Sequence, residues 1–83
     1  MVVKVLGVEV QDFNFKDGTH YAGKKLHCVV VDQHKPNLTG CPVEEIKIPS
    51  VNEFYSVPID VDKLYTVFFD QKGRVAYFAA ANK

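Results

Sequence analysis

The chain has 83 residues, 47% hydrophobic and 24% charged, which bounds it to one domain spanning residues 1–83 with one modest core and excludes disordered, collagen-like and coiled-coil classes. Ten basic residues balance ten acidic ones, so the basic excess common among nucleic-acid binders is absent. No apolar run approaches bilayer length and no charged-then-apolar leader opens the chain, so a soluble cytoplasmic protein without membrane contact is expected.

Val2 to Val10, VVKVLGVEV, alternates as a strand does, and Gly7 breaks the alternation, which predicts a bulge or bend there. The extended pattern continues through Gln11 and Phe13 to Asp17-Gly18, a hairpin signal because both residues tolerate positive φ. The returning strand is expected over Thr19 to Asp32, with Ala22-Gly23 loosening its middle. Gln33 to Pro42 reads as a loop rich in Pro, Asn and Gly. Val43 to Ile48 is a third strand, set off by Pro42 and Pro49. Residues 50–61 read as an irregular connection with room for a helical turn, since Pro58 and the β-branched residues oppose a longer helix. Lys63 to Phe69 is a fourth strand, Asp70 to Gly73 a turn with Gly73 left-handed, and Arg74 to Ala80 a fifth strand.

Strands with no amphipathic helix predict an all-β fold. The first choice is a small five-stranded OB-fold-like barrel with a projecting β-hairpin wing, and an SH3-like barrel is the second. Closure into a barrel would also remove exposed sheet edges.

Charge is unevenly placed. The first hairpin holds Lys16, His20, Lys24 and Lys25 against Asp17, while the middle holds Glu44, Glu45, Glu53, Asp60, Asp62 and Asp70 against Lys47 and Lys63. The end carries Lys72, Arg74 and Lys83. Catalytic signatures are missing: no nucleophile elbow, P-loop or HExxH is present, and His27 and Cys28 face opposite ways as strand neighbours. A non-enzyme without cofactor is expected. His27, Cys28, His34 and Cys41 lack the paired arms of a zinc site, so no metal is expected either. Cys28 and Cys41 read as reduced thiols, one buried in a strand and one in a loop; a disulfide between them is allowed but not required. Asn37-Leu38-Thr39 is a formal glycosylation sequon, and with no secretory signal expected it reads as a chance match.

The first hairpin, FNFKDGTHYAGKK, interleaves aromatics with cations. That composition suits single-stranded nucleic acid, because bases stack on rings at about 1–3 kcal/mol each and lysines neutralise phosphates. Stacking ignores base identity, so little sequence preference follows. The plainer reading puts Phe13 and Phe15 in the core and the lysines on a solvated face.

Phe13, Lys16, Gly18, Gly23 and Lys24, ending in Val31-Asp32, resemble the DNA-binding wing of the filamentous-phage gene V type single-stranded-DNA-binding proteins. Pro42-Val43 with Lys47-Ile48, and Leu64-Tyr65-Thr66-Val67, are similar to two further blocks of that family, in the same order. The resemblance implies an OB barrel, a symmetric homodimer, and sequence-independent coating of single-stranded DNA in phage or plasmid replication or transfer within a bacterial host cell. It implies basic wing roles for Lys16 and Lys24 and a third-strand phosphate contact at Lys47. Tyr21 stands where the family pattern has a basic residue, Leu26 where it has a stacking tyrosine, and Ala79 near a basic position. The family's long terminal hairpin is a tight turn here. The candidate interface is therefore Phe15, Lys16, His20, Tyr21, Lys24 and Lys25 on the wing, Lys47 on the third strand, and Arg74 and Tyr77 on the last hairpin. RNA is an alternative ligand. A small β-barrel that binds a protein by strand addition is the second reading, and an acidic-face inhibitor built on Glu44, Glu45, Asp60 and Asp62 the third.

Overall fold

Apolar residues at every second position favour strands, and strands are what this chain forms. The computed structural model describes residues 1–81. They make β1 (Val2–Asn14), β2 (His20–Val30), β3 (Val43–Pro49), β4 (Leu64–Phe69) and β5 (Val75–Ala80), with no helix among the described residues. The strands form one antiparallel sheet of order β3-β2-β1-β4-β5. The ladder does not close on itself, and β3 and β5 are its edges.

The bulge expected at Gly7 is present. Val5 pairs with Cys28 and Gly7 with His27, which leaves Leu6 as the extra residue. Before it, Val3 and Val5 point into the core; after it, Val8 packs toward the core and the odd-numbered residues point away.

The core lies on one face of the sheet. Leu26, Cys28 and Val30 of β2 alternate inward and meet Ile46 and Ile48 of β3, Val67 of β4, and the stacked rings of Tyr65 and Phe78, 4.9 Å apart at 18°. Residues 50–61 cover this face: Phe54, Tyr55, Val57 and Ile59 pack against the core. The connection turns repeatedly, with amides of Asn52, Tyr55 and Val57 donating to carbonyls three residues back. It never becomes a helix, because Pro58 supplies no further donor.

The hairpin turns expected at Asp17-Gly18 and at Asp70 to Gly73 are both present, and each loop has three residues. Phe15 N–H donates to Thr19 O at 2.7 Å and Gly18 N–H to Phe15 O at 3.1 Å. Gly18 alone takes the left-handed conformation, φ 91°; Asp17 keeps ordinary φ and instead accepts from Thr19 N–H at 3.0 Å and Thr19 Oγ1 at 2.7 Å. The β4–β5 loop repeats this design. Asp70 N–H donates to Arg74 O at 2.9 Å, Gly73 N–H donates to Asp70 O at 3.0 Å, and Gly73 has φ 80°.

Ala22-Gly23 does not loosen β2, which runs unbroken through both residues. Tyr21 folds over Gly23, and Pro49 of β3 pairs beside it, so the missing side chain leaves no gap.

The β1–β2 ladder reaches Asn14 and His20, whereas β3 ends opposite Gly23 and β4 opposite Lys4. Among the described residues, no third strand therefore lies beside residues 12–22, which project from the sheet. The overall extents, 44 × 28 × 25 Å, reflect that projection.

Candidate nucleic-acid interface

Alternation assigns the outer face of the sheet. Phe13 pairs with Tyr21, Gln11 with Gly23 and Pro49, Glu9 with Lys25 and Lys47, and Gly7 with His27 and Glu45. One surface thus runs from an aromatic tip to a row with two lysines, about 13 Å along β2 at about 3.3 Å per residue.

The tip is a cluster of three rings. Phe13 meets Phe15 at 5.1 Å, edge to face, and Tyr21 at 5.4 Å with the planes tilted 34°. Phe13 is 43% exposed and Phe15 50%, so both belong to the surface. Tyr21 is half-buried, with its hydroxyl enclosed and, among the described residues, unpartnered. Phe13 was missing from the sequence-based interface. Its spacing of two from Phe15 put both on one face, but no sequence signal fixed which face lay outside beyond the bulge.

The cations divide by their neighbours. Lys16, in the loop, and Lys47, on β3, are exposed, and no carboxylate among the described residues pairs with either. Lys25 lies beside Lys47 across the ladder and approaches Glu45 at 3.9 Å. Lys24 alternates to the other face: its Nζ donates to Tyr55 O at 2.9 Å and sits 4.7 Å above the Tyr55 ring. That ammonium ties the wing root to the 50–61 connection. His20 is paired with Asp12 on the wing.

One row below the lysines, His27 lies between two carboxylates, with Nε2 3.1 Å from Glu9 and Nδ1 3.6 Å from Glu45. The hydrogen bond from His27 holds the Glu9 carboxyl below its ordinary range. The carboxylates engage opposite sides of the ring, so this cluster links three strands across the outer face. Among the described residues, no three His, Cys, Asp or Glu converge as a metal site.

Arg74 stands at the second hairpin, its Nε donating to Asp70 at 3.0 Å. The Arg74 backbone amide, and then its guanidinium, hold the Asp70 carboxyl low. An open groove of about 660 Å³ separates this hairpin from the end of β3, and Lys47 and Arg74 both line it, with Glu53 and Asp70. Tyr77 lies apart from the wing, 45% exposed between Phe54 at 6.1 Å and Phe68 at 5.9 Å. Phe68, 54% exposed, is a second aromatic that the sequence reading did not single out. Lys83 lies outside the described residues.

Of the nine candidates, the fold gathers Phe15, Lys16, His20 and Tyr21 on the wing, sets Lys25 beside Lys47, and places Arg74 across a groove from Lys47. It separates Lys24 and Tyr77 from them. No helix among the described residues is long and apolar enough to cross a membrane. No protein-family model, curated protein or solved structure matches the chain.

Proposed function

We propose that this chain binds single-stranded nucleic acid, DNA before RNA, with little sequence preference and without catalysis. The carrying observation is the cluster of Phe13, Phe15 and Tyr21 on a hairpin that no other strand covers. Exposed rings at a projecting tip bury nothing of the chain's own core, and unstacked bases are ligands of matching chemistry. The Lys25–Lys47 row on the outer face, with Lys16 at the loop, supplies backbone contacts.

The strand order supports an OB-type reading. A barrel of cyclic order β1-β2-β3-β5-β4, opened between β3 and β5, gives this sheet. OB folds are partly open, and take oligonucleotides on the β2–β3 face between the β1–β2 and β4–β5 loops. Here those parts are the wing, the Lys25–Lys47 row and the hairpin bearing Arg74. The gene V type resemblance adds homodimer formation and a role in phage or plasmid DNA replication or transfer in the bacterial cytoplasm. The second reading, a protein-interaction module, is favoured by β5: this edge strand, VAYFAA, carries no charge or proline to block strand addition.

Fluorescence-anisotropy titration of a labelled oligo-dT tests the proposal. Binding should weaken with salt, and a Phe13→Ala/Phe15→Ala variant should lose about 1–3 kcal/mol per base unstacked. No binding at low salt would refute the nucleic-acid reading and leave the interaction module.

A further inference from the structure

We infer that Tyr21 is the positioning residue of the wing: it fixes Phe13 for a base and takes no base itself. The inference rests on the nucleic-acid reading above and assigns the division of labour within that site.

Tyr21 sits at the wing's root, where the hairpin loses its third strand. Its partner across β1 is Phe13, and two residues further along the same face is Gly23. The Tyr21 ring reaches back along the strand over that glycine. A Cβ on Gly23 would stand 2.8 Å from the Tyr21 hydroxyl, 2.9 Å from the Ile48 carbonyl oxygen and 3.1 Å from Pro49 Cα. The phenol therefore lies over the glycine where β2 pairs with the end of β3, occupying space that only glycine leaves open.

The hydroxyl shows what holds the ring there. It is buried and, among the described residues, has no hydrogen-bond partner. A tyrosine kept for stacking normally leaves its oxygen in water, whereas an enclosed, unpaired oxygen is a cost that packing must offset. Tyr21 is thus held by shape, lying over Gly23. Phe13 leans on that ring at 5.4 Å, and Phe15 meets Phe13 edge to face at 5.1 Å. The order of support runs from the strand at Gly23 through Tyr21 to Phe13 to Phe15. Exposure rises along it: Tyr21 is half-buried, Phe13 is 43% exposed and Phe15 50%. The rings presented to a nucleobase are the two phenylalanines.

The test uses an oligo-dT carrying 5-iodouracil, photocrosslinked to the full chain and mapped by mass spectrometry, together with affinities of Tyr21→Phe, Tyr21→Leu and Tyr21→Ala. Adducts are expected on Phe13 or Phe15 and none on Tyr21. Tyr21→Phe, which removes only the unpaired oxygen, should bind as wild type and melt at a higher temperature. Tyr21→Leu keeps apolar cover over Gly23 without a ring, and it should retain affinity. Tyr21→Ala, with its β-sheet circular dichroism intact, should lose about tenfold, as if one stacked base were released. An adduct on Tyr21, or a loss in Tyr21→Leu as large as in Tyr21→Ala, overturns the inference while the nucleic-acid reading stands. Wild-type protein that binds no oligo-dT at low salt overturns both.

Discussion

Cys28 and Cys41 show how one residue type acquires two behaviours. Both are free thiols, but Cys28 is fully enclosed on the inner face of β2 and Cys41 is exposed in the loop before β3. Burial first, then the Glu44 carboxylate alongside, pushes the Cys28 thiol from 9.0 up to about 11. The fold therefore favours the neutral thiol. Its contribution to stability is full below the unfolded value and is lost as pH rises through the folded one. At about pH 8 an aromatic disulfide reagent should titrate one thiol quickly, and the second only after denaturant is added; a thiolate is the reacting species, and Cys28 has neither access nor charge. Two fast thiols would mean that β2 is not in the core. Residue-level exposure was legible where alternation was regular, as for Leu26, Cys28 and Val30. It was not legible for Phe13 and Phe15, because the bulge resets which parity faces inward. Nor could spacing show that Tyr21 lies down over Gly23, since alternation gives the face of a side chain and not its direction along the strand.

The strands themselves were readable almost throughout. Proline and glycine placed their ends, and the runs between them were too short and too β-branched for anything else. The hairpin loops were less so. Asp-Gly fits a two-residue turn, but the number of loop residues is set by the register of the whole ladder, which local sequence does not state. The two loops share a further property. Asp17 accepts from Thr19, backbone first and then hydroxyl, and Asp70 accepts from Arg74 and Lys72; both carboxyls are held below the ordinary aspartate range. A depressed folded value stabilises above the unfolded one and is lost as pH falls through it. Acidification below about pH 4 should thus loosen both loops before the core melts. Amide-exchange NMR would see it first at Thr19 and Arg74. Uniform loss across all strands would show that the aspartates are incidental to the loops.

At the scale of the molecule, neutrality is partly local. Lys25 and Lys47 share the outer face with the exposed rings of the wing, whose loop carries Lys16, and Glu9 and Glu45 lie on that same face. If these lysines are the phosphate contacts, log K against log salt should have a slope of about −2, at about −0.7 per contact on a single strand. Lys16→Ala should flatten that slope by about 0.7 and weaken binding to all sequences alike. Lys24→Ala should leave the slope unchanged, because its ammonium serves Tyr55. A slope near zero would point to a protein partner for the aromatic tip. The sheet order was out of reach of the sequence reading, since the pairing of β1 with β4 spans sixty residues of intervening chain and leaves no periodic trace. The extra residue in β1 has a consequence for how such a chain can change. Deleting Leu6 would remove only the bulge: Gly7 would follow Val5 directly, still opposite His27, and Phe13 and Phe15 would stay on the outer side. Past the bulge that allowance is gone, since a residue gained or lost between Gly7 and the loop shifts the alternation by one and turns over the side chains on one side of the change.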